Sequence, residues 1–386
     1  MKAIPTASDS RAWATIDLKA LQGNLARARA FQPKAHVVAV VKANAYGHGA
    51  LPVAHALRAS LREGDCFGVA SLDEALELRR SGLSEPILLL EGVFDAQQQA
   101  VAIEQNCAFV IHSLFQLDLL QQHLAAQGHP GHPLSVWLKI DTGMHRLGLN
   151  AQDFARAWQA LQGETAVGKC VLMSHFACAD DADSNMTLRQ LAELERCLDA
   201  AGVPVAQREI SVAASSGIQL WPQSHYQWLR PGIMLYGGTA VAGENAIARG
   251  IEPVMTLRAR LISIKQVAAG ESIGYGAAYV CEQEQRIGVI SIGYGDGYPR
   301  RMPAGTPVLV KCRVDGQWCH VQVPLCGRVS MDMTMVDLTQ CPQARVGDEV
   351  LLWGEGLPAD EIARRCGTIA YELFCQITPR VHFIYA

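Results

Sequence analysis

Eight short apolar runs alternate with amphipathic segments through the first two thirds of the sequence, and this alternation restricts the fold more than any other feature. Runs of about four to eight apolar residues bounded by turn signals are typical of buried strands. The runs here are His36–Val41, Cys66–Ala70, Pro86–Leu90, Ala108–His112, Val136–Ile140, Lys169–Met173, Glu209–Ala213 and Trp228–Tyr236. Segments with helical spacing lie between them, among them Leu51–Leu57, Asp73–Leu78, Asp153–Leu161 and Leu188–Leu198. Because parallel strands need crossover helices, the pattern predicts a (β/α)8 TIM-like barrel, with a doubly wound sheet as the alternative.

The pattern changes after about residue 248. Helical spacing fades there, and strand-like runs separated by Gly, Pro and Asp take over: Leu257–Ile262, Arg286–Ile290, Pro307–Val310, Met333–Leu338 and Glu349–Leu352. We therefore expect an α/β protein with an N-terminal barrel over residues 12–247 and a C-terminal mainly-β domain over residues 248–386. The strand-like segment at about residues 11–17 precedes the barrel and is a candidate for the sheet of the second domain.

Composition excludes several classes of protein. The 386 residues carry a net charge of −4 and no long run of Lys or Arg, so we expect no nucleic-acid partner. No apolar stretch reaches the ~18 residues of a membrane span, and Met1–Pro5 lack the apolar core of a signal peptide, so we expect no membrane and a cytoplasmic location. Charged residues make up 18% of the chain, below the usual ~25%, which favours a buried subunit interface.

Several familiar motifs are missing. The 12 cysteines form no CxxC pair, so we interpret them as small buried hydrophobic residues and expect no metal. No GxGxxG, GxxxxGK[ST] or HExxH occurs, which leaves dinucleotide, P-loop and simple zinc-hydrolase functions without support.

Polar residues follow the predicted barrel strands where an active site is expected, at their carboxyl ends. Lys42 follows the first run, Arg146 follows the fifth and His175 follows the sixth. A lysine desolvated at a barrel mouth can form a Schiff base. The alternatives are a solvated strand-end lysine, a loop arginine in a surface ion pair and a structural histidine.

A phosphate site is expected in the loops after the seventh and eighth barrel strands. Ser216 and Gly232 lie there, and a hydroxyl beside backbone N–H groups at a glycine is suited to bind phosphate. A reactive lysine after the first strand combined with a phosphate site after the last two points to pyridoxal phosphate as cofactor.

Eight motifs resemble, in order, those of the alanine racemase family. They are Ala39–Gly49, Lys139–Gly148, Ser174–Ala177, Arg230–Gly237, Ile273–Gly276, Ile292–Tyr298, Gly327–Met333 and Ala370–Glu372. The resemblance covers roughly residues 12–382 and implies a pyridoxal 5′-phosphate barrel joined to a β domain. It also implies a head-to-tail homodimer in which the β domain of the partner completes each active site.

The resemblance further implies a two-base interconversion of L-alanine and D-alanine that supplies D-alanine for peptidoglycan. Lys42 and Tyr275 of the partner correspond to the two bases, with His175 and Arg230 as the relay that supports Tyr275. Arg230 corresponds to the residue facing the pyridine nitrogen, and Arg146 to the one that contacts the phenolic oxygen and the substrate carboxylate.

The remaining site residues also come from the resemblance. The phosphate shell corresponds to Tyr46, Ser216, Gly232, Ile233 and Tyr371, and the substrate pocket to Met331 and Tyr294, with Arg300, Arg328 and Asp180 at its entrance. Lys139 matches a position that is carbamylated in some members; an unmodified lysine is the alternative.

Two positions depart from the family pattern: Ser215 stands where Asn is frequent, and Ser330 where Cys is frequent. Three other functions stay open at this point. The first is a racemase of broader specificity acting on serine or basic amino acids, the second a pyridoxal-phosphate decarboxylase on the same barrel, and the third a non-catalytic cofactor-binding protein. Retention of both Lys42 and Tyr275 argues against the third, because binding alone needs no second base.

Overall fold

A closed barrel of eight parallel strands forms the N-terminal part of the protein in a computed structural model, which describes residues 10–386. The strands are β2 (His36–Val40), β3 (Cys66–Val69), β4 (Ile87–Leu89), β5 (Cys107–Ile111), β6 (Leu134–Lys139), β7 (Val167–Met173), β8 (Ile210–Ala214) and β9 (Trp228–Arg230). The predicted barrel is therefore confirmed, and the doubly wound alternative is wrong. Met1–Pro5, which were used in predicting a cytoplasmic location, lie outside the described residues.

The last barrel strand is shorter than its apolar run. The strand β9 ends at Arg230, and a 3₁₀ turn occupies Ile233–Tyr236. Pro231 has no N–H to donate to a neighbouring strand, so the sheet pairing stops where the proline begins.

Helices connect consecutive barrel strands, as the crossover rule requires. They span Ala50–Arg58, Leu72–Arg80, Ala96–Glu104, Leu114–Gln127, Ala151–Gln162 and Met186–Ala200, followed by the short helix Ser215–Leu220. Four of them begin at a side chain that accepts a hydrogen bond from the backbone of the first turn: Ser71, Asp95, Ser113 and Asn150. Such N-caps satisfy donors that the helix itself leaves free, which fixes where each helix starts.

The second sheet has eight strands: β1 (Ala12–Ile16), β10 (Met255–Val267), β13 (Gln285–Ile290), β14 (Pro307–Val314), β15 (Gln317–Cys326), β16 (Thr334–Asp337), β17 (Glu349–Trp353) and β18 (His382–Tyr385). Their order in the sheet is β13-β16-β15-β14-β17-β10-β1-β18, and β10 also pairs with β13. The strands β11 (Ser272–Ile273) and β12 (Tyr279–Val280) pair antiparallel and form a separate two-stranded sheet. The mainly-β character expected for this part is confirmed, although two short helices, Ala359–Arg365 and Ala370–Cys375, also occur in it.

The chain forms two compact units. One contains Gln22–Leu235 and Ala240–Gly243; the other contains the chain up to Leu21 together with Tyr236–Thr239 and Glu244–Ala386. The strand β1 pairs with β10 and β18, so it lies in the sheet of the second unit. The domain limits expected at residues 12, 247 and 248 stay a prediction.

Within residues 10–386, no helix has the length and apolar character needed to cross a bilayer. The same part of the chain contains no cluster of three or more His, Cys, Asp or Glu side chains arranged to hold a metal ion. Its twelve cysteines are free thiols.

Candidate active site

A short left-handed turn begins directly after Lys42. Ala43, Asn44 and Ala45 have φ of 53° with ψ of 52°, 45° and 51°, and Tyr46 also has φ of 53°. These are the dihedrals of a left-handed helix, which cost about 1–2 kcal/mol per L-residue. Non-glycine residues held in that region cluster at functional sites, so the geometry singles out this turn.

Specific hydrogen bonds hold the left-handed turn. The backbone N–H of Ala43 donates to Glu74 Oε1 at 2.7 Å, and that of Ala50 donates to Asn44 Oδ1 at 2.7 Å. Gly47, with φ of 77°, ends the turn and donates to the carbonyl of Ala43. The turn thus fixes where Lys42 and Tyr46 stand relative to β2.

Tyr46 and Gly232 are packed against each other in the barrel mouth. A Cβ atom added at Gly232 would lie 2.5 Å from Tyr46 Oη, so any larger residue there would displace the tyrosine ring. The loop around Gly232 is held by Ser215, whose Oγ accepts hydrogen bonds from the backbone N–H of Gly232 at 3.0 Å and of Met234 at 3.3 Å. The structure therefore brings Tyr46, after β2, against Gly232, after β9, and holds the loop of Gly232 and Ile233 on Ser215, the neighbour of Ser216 after β8. Sequence reasoning missed the part played by Ser215, which it noted only as a departure from a family pattern.

Arg230 is buried and its guanidinium is held on several sides. It donates to Ser211 Oγ at 2.6 Å, to the carbonyl of Ser174 at 2.8 Å and to that of Val212 at 3.1 Å. Burial lowers its pKa to about 9. The fixed fork of donors leaves Arg230 no freedom to rotate, so it presents its charge in one place.

Arg230 also sets the state of His175. Its Nη2 lies 3.3 Å from His175 Nδ1, and because a guanidinium only donates, Nδ1 accepts and the proton sits on Nε2. Burial, followed by the charges of Arg230 and Lys139, lowers the pKa of His175 well below its ordinary value. His175 is thus a neutral imidazole with Nε2–H free to act as a donor.

Lys139 ends β6 and is 6% exposed. Burial, together with the charges of Arg230, Arg146 and Lys42, lowers its pKa to about 8. Four cationic side chains therefore share the barrel mouth. Such a surplus of positive charge favours an anionic ligand.

The loop after β6 carries Arg146, which is exposed. Asp141 shapes this loop, because its carboxylate accepts from the backbone N–H of Gly143 and His145, both at 3.0 Å, and contacts His145 Nδ1 at 2.9 Å. His145 has φ of 56°, so the chain turns sharply before Arg146.

The other predicted site residues lie in the second unit. Tyr275 is 70% exposed and follows Gly274, whose φ is 72°. Tyr294 and Met331 are brought together by bonds from the backbone N–H of Tyr294 to the carbonyl of Ser330 and from Gly295 to that of Met331. Tyr371 lies on the helix Ala370–Cys375. These side chains lie in a different unit from Lys42.

The barrel mouth fits pyridoxal phosphate. The cofactor carries a phosphate and a phenolic oxygen, which suit the cationic cluster of Lys42, Lys139, Arg146 and Arg230. The cradle at Gly232, which a Cβ would fill, and the backbone N–H groups beside Ser216 suit the phosphate.

A parallel barrel with a lysine after its first strand and this cradle after its last two defines a barrel enzyme that uses pyridoxal phosphate. Two family models match the chain: "Alanine racemase, N-terminal domain" over residues 16–240 and "Alanine racemase, C-terminal domain" over residues 254–385. The chain belongs to the alanine racemase family, whose members are isomerases dependent on pyridoxal phosphate.

Individual relatives agree with this assignment. An alanine racemase from Shewanella amazonensis is 46% identical over 371 residues, which cover 95% of this chain and 97% of that protein. The crystal structure of the biosynthetic alanine racemase from Pseudomonas aeruginosa is 45% identical, with a TM-score of 0.88 over 98% of this chain and 99% of that one. A Bartonella henselae alanine racemase crystallised with covalently bound pyridoxal phosphate is 28% identical, with a TM-score of 0.84 over 98% of this chain and 100% of that one. These relatives favour alanine racemase over a racemase of broader specificity.

Proposed function

We propose that this chain interconverts L-alanine and D-alanine by a two-base transfer of the Cα proton, with Lys42 and Tyr275 as the bases. One observation carries the proposal: Lys42 directly precedes a strained left-handed turn at the mouth of a barrel that also holds the Arg230–His175 pair. The site roles given to these residues rest on the family resemblance together with this geometry.

Bound pyridoxal phosphate would supply the electron sink that makes the Cα proton removable. Lys42 holds or accepts that proton on one face of the substrate, and Tyr275 on the other. Arg146 binds the substrate carboxylate, a contact for which the planar guanidinium is suited. Tyr46, Ser216, Gly232, Ile233 and Tyr371 bind and orient the phosphate.

Arg230 faces the ring nitrogen of the cofactor in this proposal. A guanidinium donates a hydrogen bond but keeps its protons at neutral pH, so the ring nitrogen would stay unprotonated. Neutral His175 donates from Nε2 toward Tyr275 and so supports a phenolate there. The arrangement favours return of the proton to Cα over its delivery elsewhere.

The homodimer is part of the proposal. Tyr275, Tyr294 and Met331 are 70%, 38% and 52% exposed, and large exposed aromatic and Met side chains are enriched at protein interfaces. We propose that they complete the site of a partner chain and limit the pocket to a small substrate. Supply of D-alanine for peptidoglycan and a cytoplasmic location, which cell fractionation would check, complete the proposal.

The test is racemisation of L-alanine in deuterated water by the holoenzyme. We expect D-alanine that carries deuterium at Cα, and we expect Lys42→Ala to abolish both products. Lys19→Ala, an exposed lysine on the helix Leu18–Ala30, is the matched control and keeps full activity. Absence of both D-alanine and exchange would contradict the proposal, and a panel that includes serine and lysine tests specificity.

A further inference from the structure

Three side chains on barrel helices each tie together the carboxyl ends of two neighbouring strands. They are Glu74, Gln116 and Gln190, on the helices Leu72–Arg80, Leu114–Gln127 and Met186–Ala200. The strand pairs are β2 with β3, β4 with β5 and β6 with β7, in that order. We call these three side chains the clamps.

The first clamp, Glu74, uses both carboxylate oxygens. Its Oε2 accepts from the backbone N–H of Ala70, just after β3, at 2.7 Å. Its Oε1 accepts from the backbone N–H of Ala43, just after β2, at 2.7 Å. Ala43 is the first left-handed residue after Lys42, so Glu74 holds the strained turn where it joins the reactive lysine.

The second clamp, Gln116, is 2% exposed and makes the equivalent contacts one strand pair further on. Its Oε1 accepts from the backbone N–H of His112, just after β5, at 2.9 Å. Its Nε2 donates to the carbonyls of Glu91 at 3.0 Å and Val93 at 3.1 Å, both after β4. None of the proposed site residues lies on these two loops.

The third clamp, Gln190, is 1% exposed. Its Oε1 accepts from the backbone N–H of Ala177 at 2.8 Å, and its Nε2 donates to the carbonyl of His175 at 3.0 Å. Nε2 also donates to Thr142 Oγ1 at 3.2 Å, on the loop after β6 that carries Arg146.

The hydrogen-bond chain that starts at Gln190 runs in one direction. Ser174 Oγ donates to the carbonyl of Ile140 at 3.0 Å, so the 2.8 Å contact between Thr142 and Ser174 has Thr142 as donor. Gln190 must then donate to Thr142, which only the amide nitrogen can do. The His175 backbone is held by Gln190, while its ring is held by Arg230.

The choice of Glu or Gln follows from what each clamp meets. Glu74 faces two N–H donors, and only a carboxylate offers two acceptors. Gln116 and Gln190 each face one donor and two acceptors, which match an amide. Gln116 and Gln190 are buried, and buried polar groups need such complementary partners because leaving one unpaired is costly. Glu74 is half-buried, and its bond to Ala43 lies at the surface.

From this pattern we infer that Glu74 and Gln190 are positioning residues for the proposed racemisation, whereas Gln116 only stabilises the barrel. Glu74 acts through the turn at Lys42, and Gln190 acts through His175 and the loop of Arg146. The inference rests on the proposed function for the roles of those residues, and Gln116 is the control that the fold itself provides.

The experiment compares Glu74→Met, Gln116→Met and Gln190→Met. Glu74→Gln is added as a variant of the same shape, in which one of the two acceptor oxygens is replaced by a donor. For all four holoenzymes without substrate, hydrogen exchange is measured by peptide mass spectrometry, together with Tm and the visible absorbance of bound pyridoxal phosphate. Racemisation kinetics and their pH profile follow.

All three Met variants should lower Tm, because each leaves backbone groups unpaired. Gln116→Met should keep kcat within about twofold, while the Glu74 and Gln190 variants should lose at least about tenfold in kcat with a smaller change in KM. Glu74→Gln should speed exchange at residues 42–50 and change the absorbance. Gln190→Met should speed exchange at residues 174–178 and shift the pH profile.

Equal losses of kcat in the three Met variants, in step with Tm, would overturn the inference. So would unchanged exchange at residues 42–50 in Glu74→Gln. Exchange does not depend on turnover, so these outcomes differ from failure of the proposed function, in which the wild-type holoenzyme would not racemise alanine at all.

Discussion

The surroundings of Lys139 change its chemistry through burial and neighbouring charge. It is buried at the end of β6 among Arg230, Arg146 and Lys42, and these charges add to the effect of burial in lowering its pKa to about 8. The folded protein therefore holds roughly one tenth of Lys139 as the neutral amine at pH 7, far more than an ordinary lysine. A neutral amine reacts with carbon dioxide to form a carbamate, with release of a proton, and the product would be an anionic partner for Arg146.

We predict that Lys139 is carbamylated in bicarbonate buffer. When the concentration of dissolved carbon dioxide is held constant, the neutral fraction rises as pH approaches 8, so carbamate formation should be faster at pH 8 than at pH 7. Carbon-13 NMR with labelled bicarbonate should detect a carbamate signal that Lys139→Gln removes. Lys169→Gln is the control, because Lys169 Nζ lies 2.8 Å from Glu209 Oε1 as part of an ion pair. A signal that persists in Lys139→Gln would refute the prediction.

Among the elements, the left-handed turn after Lys42 has the longest run of strained residues within residues 10–386. Four successive non-glycine residues have positive φ, and Ala43, the first of them, is exposed. At such a position a Cβ atom strains the folded state, so glycine relieves it. In a right-handed helix there is no such strain, and glycine only adds conformational entropy that is lost on folding. The same substitution should therefore have opposite signs in the two settings.

We predict that Ala43→Gly leaves stability unchanged or raises it by up to about 1 kcal/mol, since the relief of strain exceeds the entropy cost of glycine. Ala26→Gly, at an exposed position within the helix Leu18–Ala30, should instead lower stability by about 1 kcal/mol. The stability of both variants is measured by thermal unfolding, followed by circular dichroism, and compared with that of the wild type. A loss in Ala43→Gly as large as that in Ala26→Gly would mean that the turn stores no strain.

The elements also mark how far the sequence could predict the structure. Strands with strong apolar runs, such as β2 and β6, were predicted to within about two residues. The strands β15 and β18 were not, because β15 alternates exposed polar residues and contains Pro324, and β18 has only four residues. The helices Ala359–Arg365 and Ala370–Cys375 are shorter than the window over which helical periodicity can be recognised.

Some of the site residues could be predicted from the sequence and others could not. Lys42 and His175 were found because each follows a barrel strand, which fixes its place at the mouth. Arg230 lies within the eighth apolar run, and its role was taken from the family resemblance. The handedness of the turn and the parts played by Ser215, Glu74 and Gln190 could not be predicted. They depend on contacts between residues distant in sequence, such as Ala43 with Glu74, and a single sequence carries no pattern for them.

On the scale of the whole molecule, the proposed site residues are divided between the two units. Lys42, His175 and Arg230 belong to the barrel unit, and Tyr275 and Met331 to the other. The proposal that each site is shared between two chains can be tested by forming dimers from two differently inactivated variants.

We predict that mixed dimers of Lys42→Ala and Tyr275→Phe subunits recover about one quarter of wild-type activity. Random assembly makes half of the dimers mixed, and each mixed dimer has one site with both bases intact. Lys42→Ala mixed with Arg230→Ala is the control, since both residues lie in the barrel unit and no intact site can form. Co-expression with two affinity tags provides the measurement. If the first mixture recovers no more activity than the control, each site is built from one chain.

The first and the last strand of the described residues lie in one sheet: β1 pairs with β10 and, in parallel, with β18, so that Trp13 lies opposite His382. During synthesis the first strand leaves the ribosome early, yet its partners are made only after the whole barrel. The barrel can close while β1 waits with unpaired edges, and an unpaired edge is open to wrong partners. Because β1 and β18 are parallel, a linker from the end of β18 to the start of β1 must cross back over the sheet and would need about a dozen residues. With such a linker the chain could begin elsewhere, on an exposed barrel loop, with every strand pairing kept.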